Sequence, residues 1–239
     1  MSSPSPALLV TNLGLMPYAD ALTIQRAAAK ARITGELGED LLLLVEHPPV
    51  VTLGRSSKEA HLLASPELLR ARGVELFEVE RGGDVTFHGP GQLVGYPIID
   101  LKRHRQDLHW YLRQVEEVLI RALATYGLHG ERSVGYTGVW VQGRKIASIG
   151  VHARDWVTWH GFALNVTTEL SYFDLIVPCG IQQVSMTSIA KELDLTGLAL
   201  ADVGDRVAHA AAELFGLTMR AVTLPDVIGE HVTAQHIVA

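Results

Sequence analysis

One cysteine, Cys179, occurs in the 239 residues. A single thiol cannot close an internal disulfide and is too few for a cysteine-based metal site. Histidine is more plentiful, at 11 residues, yet no H-x-x-x-H or H-E-x-x-H pair falls on a predicted helix. His152 and His160 lie in neighbouring strand segments, but without further ligands no metal is expected. Positive charge is short as well: 20 Lys+Arg stand against 26 Asp+Glu, a net charge of −6. That balance argues against a basic nucleic-acid surface. No apolar run is long enough for a bilayer, since "LLLLVEHPPVV" is broken by Glu46, His47 and two prolines. The start "MSSPSPALLV" places no positive charge before a long apolar stretch, so no signal peptide is expected. One cysteine without an export signal fits a reducing cytoplasm. A G-x-S-x-G elbow, a P-loop and a dinucleotide fingerprint are all missing.

What is present is an ordinary globular composition, 48% apolar and 19% charged. Residues 1–6 read as a short disordered lead, and 7–239 as one domain. "ALLVTNLG" predicts a strand. Pro17 then opens a helix that stops at Gly35. "EDLLLLVEH" and "PVVTLG" are apolar enough for buried strands joined at Pro48 and Pro49. Ser65 and Pro66 begin a short helix ending before Gly73. "VELFEVE" is a strand, and "DVTFHGPGQLVGYPIID" reads as two strands around a glycine turn. Asp107 caps a helix whose apolar stripe runs from Leu108 to Tyr126, with Gly127 after its end. "TGVWVQGRKIASIGVHA" predicts a hairpin turning at Gln142 and Gly143, followed by the strand "WVTWHGFALNV". An Ala-rich helix around "DVGDRVAHAAAELFG" and a short tail close the chain. Helices and strands do not alternate regularly enough for a doubly wound fold. The expectation is therefore α/β (α+β) with a mixed or antiparallel sheet and flanking helices.

Three stretches are placed to carry chemistry. "RGGDVTFHGPGQ", residues 81–92, gathers glycines and prolines around Arg81 and His88; it makes either tight hairpin turns or a close backbone approach to a ligand. "GRKIASIG" sets Lys145 on a strand. Simple alternation puts Lys145, Ala147 and Ile149 on one face, with an edge-strand lysine as the plainer reading. "IVPCGIQQVS" sets Cys179 between two backbone-punctuating residues, although a lone thiol is more often a small buried hydrophobe.

Taken in order, "HPPVVTLGR", "RGGDVTFHGPGQLVGYPI", "GRKIASIG", "HGFALNV" and "PCGI" resemble the octanoyltransferases of lipoate biosynthesis. The likeness covers about residues 8–195. It implies the fold of biotin–protein and lipoate–protein ligase catalytic domains. The implied activity moves an octanoyl group from octanoyl-acyl carrier protein to a lysine of a lipoyl domain. The acceptors would be 2-oxoacid dehydrogenase complexes and the glycine cleavage H protein. By the same resemblance Cys179 is the acyl-accepting residue and Lys145 its partner. Substrate contacts fall on Arg81, Gly82, Gly83, Asp84, Val85, Thr86, Phe87 and His88, on Ser148, Ile149 and Gly150, and on Gly161, Phe162 and Ala163. No cofactor and no metal are implied, because the thioester donor is already activated.

The chemistry is coherent on its own terms. An ammonium beside a thiol favours the thiolate, and covalent catalysis lets one carrier leave before the second docks. Two other readings use the same residues: an ATP-dependent lipoate–protein ligase, and a non-catalytic acyl-binding module in which Cys179 is only buried. The strongest basic run, Lys102 to Arg105, is a candidate docking patch for acidic carrier domains, with Arg55 and Lys58 as a second.

Overall fold

The computed structural model describes residues 6–181 and 184–228. The elements, in chain order, are β1 (Ala7–Leu15), α1 (Tyr18–Thr34), β2 (Asp40–Glu46), β3 (Val50–Leu53), α2 (Pro66–Ala71), β4 (Glu75–Glu78), β5 (Val85–His88) and β6 (Gln92–Ile98). They continue with α3 (Leu108–Ala124), β7 (Gly138–Val141), β8 (Arg144–Arg154), β9 (Val157–Asn165), α4 (Ile189–Leu193), α5 (Leu200–Phe215), β10 (Thr218–Ala221) and α6 (Leu224–Ile228). Residues 1–5 of the expected lead lie outside the described residues, and the Pro6 carbonyl accepts a hydrogen bond from Thr218 N–H.

Seven strands form a mixed sheet in the order β10-β1-β2-β6-β9-β8-β7. The first three run parallel and the rest pair antiparallel. Both faces are covered, which explains why β2 is apolar without alternation. Its Leu42 and Leu44 face the core built by α3 and α5, whereas Leu41, Leu43 and Val45 face α1. Each such fully buried leucine contributes about 2 kcal/mol of burial free energy. Among the described residues no helix is long and apolar enough to cross a membrane.

The prolines at 48 and 49 do more than join two strands of one sheet. They hand the chain from β2 to a separate three-stranded sheet, β4-β3-β5. In that sheet alternation decides everything. Val85 and Phe87 of β5 enter a core with Val51, Phe173 and Leu175, while Thr86 and His88 point to the opposite side. The tail also holds more than expected: β10 adds a short parallel edge to β1, and α6 follows it. "TMRA" is mostly exposed, so it carries none of the burial pattern by which strands are recognised.

The helix predicted from Asp107 forms, with the Asp107 carboxylate accepting from Trp110 N–H at 3.0 Å. The basic run before it is spent on local partners. Lys102 meets Asp100 at 3.8 Å, Arg105 meets Asp107 at 3.0 Å, His104 meets Asp40 at 2.6 Å, and Arg103 donates to the Gly38 carbonyl. These contacts tie the ends of β2 and β6 to the following helix, while the Lys102 and Arg105 side chains stay largely exposed.

Between the two sheets Tyr18, His47, His88 and Tyr96 pack as an aromatic cluster with centroids 5.3–6.0 Å apart. Burial pushes His47 down to about 4 and His88 down to about 3, so both rings are neutral. His47 is satisfied in that form by the Met16 carbonyl at 2.8 Å and the Tyr96 hydroxyl at 2.7 Å. In the unfolded chain the same rings titrate near 6.5. The unfolded state therefore binds more protons as pH falls below about 6.5, and folding stability drops until the folded-state values are passed. We expect the unfolding free energy to fall between pH 6.5 and 4 by an amount of order 2–4 kcal/mol from His47. Urea unfolding across that range should show a shallower fall in His47→Gln; equal slopes in the two proteins would remove this role.

Candidate active site

Cys179 sits in a short turn, Pro178–Gly180, between the last helical turn of residues 170–175 and the segment leading to α4. Its backbone is left-handed, at φ 55° and ψ 21°, and Gly180 follows at φ 67°. Left-handed backbone at a residue with a Cβ is uncommon and costs of order 1 kcal/mol, so the surroundings must enforce it. They do. Val177 N–H donates to the His61 carbonyl at 2.7 Å, and Leu62 bridges Ile176. A Cβ at Gly180 would lie 2.5 Å from Asp84 Oδ2 and 3.0 Å from the His61 ring. Asp84 and His61 are themselves joined at 2.5 Å, forming a rigid backstop that only glycine can approach.

Lys145 meets this turn from β8. Its residue is 0% exposed, Nζ lies 3.0 Å from Cys179 Sγ, and the same Nζ sits over the Trp140 ring at 5.1 Å. β8 is flanked by β7 and β9, so the reading of an edge-strand lysine is overturned. Simple alternation is overturned too. Trp140 pairs with Lys145 but Val139 pairs with Ala147, so Ile146 is an extra residue in the strand. That bulge turns Ala147 into the α3/α5 core and brings Ser148 to the side of Lys145. Ser148 Oγ accordingly stands 3.6 Å from Cys179 Sγ. Bulges re-aim side chains in this way next to functional sites.

The thiol opens on a cavity between the two sheets. Arg81, Gly83, Asp84, Thr86 and His88 line one wall, Ser148 to Gly150 and Gly161 to Ala163 another, with Tyr18, Val94, Tyr96 and His160 completing the interior. Gly82, Val85 and Phe87, although named with their neighbours, are not brought to it. Val85 and Phe87 lie in the core on the far face of β5, and Gly82 N–H donates to the Val151 carbonyl at 2.8 Å. His152 stacks edge-on against Trp159 at 4.2 Å, while the cross-strand partner of His160 is Val151. Among the described residues no group of three or more His, Cys, Asp or Glu could hold a metal.

Arg81 is the unusual wall residue. It is buried; its Nη2 donates to the Thr52 carbonyl at 2.7 Å and to Thr52 Oγ1 at 2.8 Å, and its Nη1 donates to the Gly82 carbonyl at 3.1 Å. Burial lowers its proton affinity, partly offset by surrounding groups that include Cys179. Arginine nevertheless stays charged in proteins, so the cavity carries a fixed positive field next to the thiol.

Residues 17–212 match the family described as the lipoyl protein ligase A/B catalytic domain. The chain belongs to that family. It is similar to the octanoyltransferase of Nostoc sp., 49% identical over 216 residues that span 90% of this chain and 96% of that protein. It is also similar to the octanoyltransferase of Rubrobacter xylanophilus, 57% identical over 182 residues, 75% of this chain and 81% of that one. Among solved structures, a putative lipoate protein ligase from T. acidophilum with bound lipoic acid superposes with a TM-score of 0.73. That pair is 16% identical and covers 97% of this chain and 95% of the other. A lipoate-protein ligase A bound with ATP gives the same TM-score at 15% identity, covering 97% and 95%. Those structural likenesses show the fold of the lipoyl protein ligase family.

Within this family fold, sequence reasoning missed Tyr18, Thr52 and Tyr96, which lie outside the quoted glycine motif or read as ordinary strand and helix residues. Glu116 was missed as well. It is 0% exposed on α3 and holds Arg113, Arg132 and Gly138 N–H, which anchors the loop reaching Tyr136 at the cavity rim. A carboxylate inside an apolar stripe was its only sequence signal.

Gly180→Ala should displace the thiol without unfolding the protein, because the new methyl group collides with Asp84 while the left-handed backbone costs about 1 kcal/mol. The iodoacetamide rate at Cys179 should fall about 10-fold or more, in line with the cost of small misplacements. Gly73→Ala adds a similar backbone penalty (φ 65°) in open space and should leave that rate unchanged. Equal rates in the two variants would show that the Asp84 contact does not set the thiol.

Proposed function

We propose that the chain is an octanoyltransferase that works through an acyl-thioester on Cys179. The observation that carries this reading is the 3.0 Å contact between a fully buried lysine and a half-buried thiol that both line the cavity between the sheets. In this reading residues 7–239 form the catalytic domain behind a lead of residues 1–6, and the protein acts in the cytoplasm.

Lys145 as ammonium and Cys179 as thiolate form the resting pair. The thiolate attacks the carbonyl of octanoyl-acyl carrier protein, a new S–C bond forms, the old one breaks, and the leaving carrier thiolate takes its proton from Lys145. The octanoyl chain then lies in the cavity along Thr86, His88 and Tyr96 on one side and Gly161 to Ala163 on the other. The amine of a lysine on a lipoyl domain attacks the Cys179 thioester, and neutral Lys145 accepts its proton as the amide forms. Cys179 leaves as thiolate and the pair is restored. Positive charge from Arg81 and the Ser148 hydroxyl support negative charge near the sulfur during both steps. The donors and acceptors proposed are octanoyl-acyl carrier protein and the lipoyl domains of 2-oxoacid dehydrogenase complexes and the glycine cleavage H protein.

A ligase of the same fold would use ATP and needs no acyl-cysteine. The Cys179–Lys145 contact favours the transferase, as does the high identity to proteins bearing that name, against about 15% for the ligases. Intact mass after mixing with octanoyl-acyl carrier protein decides the matter. The expected result is one octanoyl adduct that Cys179→Ser abolishes and that clears when a lipoyl domain is added. Lys145→Met should slow both formation and clearance by about 10²-fold or more, the usual worth of a positioned proton-transfer group. An adenylate appearing only with ATP would support the ligase, and no adduct under any condition would leave a binding module.

A further inference from the structure

A hydrogen-bonded line crosses the interior from the cavity wall to the backbone of the dyad. Thr52, which accepts from Arg81, lies 3.5 Å from His88 Nε2. His88 Nδ1 stands 2.9 Å from Gln92 Oε1, Gln92 Nε2 donates to Asn165 Oδ1 at 2.9 Å, and Asn165 Nδ2 donates to the Thr187 carbonyl at 2.9 Å. Gln92 Nε2 also donates to the Phe87 carbonyl at 3.2 Å. Two acceptors identify that atom as the nitrogen, so Oε1 accepts from His88 and the ring proton sits on Nδ1. Every link from His88 onward donates in the same direction.

The line ends where it matters. Thr187 N–H donates to the Lys145 carbonyl at 2.9 Å, and Lys145 N–H donates to the Ser185 carbonyl at 2.8 Å. The segment after Cys179 thus pairs in parallel with Lys145, whose side chain meets the thiol at 3.0 Å. Gln92 and Asn165 face each other across β6 and β9 and are each 1% exposed. Burying two amides among apolar neighbours is costly unless each polar atom is matched, and the transfer chemistry touches neither of them.

We propose that Gln92 and Asn165 are positioning residues: by fixing the Thr187 segment they hold the Lys145 backbone at the height where Nζ meets Cys179 Sγ. This rests on the dyad reading above. Without the Asn165 donor the Thr187 carbonyl becomes a buried, unmatched acceptor, and the segment shifts to find another partner. Because burial keeps His88 neutral, the direction of the line holds across the working pH range.

The test compares Gln92→Leu, Asn165→Leu and the double variant on two readouts. One is the iodoacetamide rate at Cys179, which needs no acyl substrate; the other is kcat and KM with octanoyl-acyl carrier protein. Each single change should lower the alkylation rate and kcat together by roughly 10- to 100-fold, as for other sub-ångström misplacements of reacting groups. KM should stay within about a factor of two, since no substrate contact is removed. Both changes cut the same line, so the double variant should be no worse than the more severe single one. Wild-type alkylation in a folded variant, effects that multiply, or a raised KM with unchanged kcat would each overturn the proposal. Where a leucine variant does not fold, Asn165→Asp replaces it, with the ionisation of the new carboxyl followed by its infrared carbonyl band. A protonated carboxyl still donates to Thr187 and a carboxylate cannot, so the rate must stay near wild type while the carboxyl is protonated and fall as it ionises; a low rate in the protonated form, or a ratio unchanged through ionisation, refutes the role. If wild-type protein takes up no octanoyl group yet alkylates at Cys179, the transfer reading fails while the alkylation arm still decides the positioning.

Discussion

A buried lysine is the constraint on which this structure turns. Lys145 has no exposure, and its counterparts among the described residues are a sulfur at 3.0 Å and the face of Trp140. Removing a lysine from water costs several kcal/mol unless an opposite charge or an equivalent partner replaces the solvent. The thiol is therefore not a guest in the site. The bulge at Ile146, the left-handed backbone of Cys179 and the glycine behind it all serve to bring that sulfur to that nitrogen.

The two sheets divide the labour. The seven-stranded sheet, sandwiched between α1 on one face and α3 with α5 on the other, is the rigid body from which Lys145 and Ser148 project. The three-stranded sheet supplies the opposing wall, and its β5 is two-faced: Val85 and Phe87 hold the small core together, whereas Thr86 and His88 look into the cavity. Neighbouring residues of β5 thus answer to different pressures, packing for Val85 and Phe87 and the shape of the cavity for Thr86 and His88.

Much of this was legible in the residues. Caps and breakers located α1, α2 and α3, because Pro17, Ser65, Pro66, Asp107 and the following glycines act through local backbone energetics. The uniform apolarity of β2 announced a strand buried on both sides. The resemblance, not the residues by themselves, singled out Cys179, Lys145 and the glycine motif; the structure brings that thiol and that lysine together and puts part of the motif on the cavity wall. What escaped was whatever depends on long-range register. Nothing in "GRKIASIG" marks Ile146 as an inserted residue, and the β8–β9 turn uses Asp155 and Trp156 at positive φ with no glycine to signal it. The separation into two sheets, the Gln92–Asn165 pair and the local partners of the Lys102–Arg105 run are each set by contacts distant in sequence or by carboxylates that composition alone leaves unassigned.

The cavity draws on Tyr18 near one end of the chain, on both walls of the middle, and on Cys179 well towards the other. No contiguous fragment contains it. Contacts of such wide sequence separation form late, after the entropy of closing the intervening loops has been met. A chain that has collapsed but not finished folding would hold a thiol without its lysine and a lysine without its sulfur. The environment of the chain's single cysteine is in this sense a built-in inspection of the whole molecule: the thiol meets its lysine only after both sheets have closed on each other.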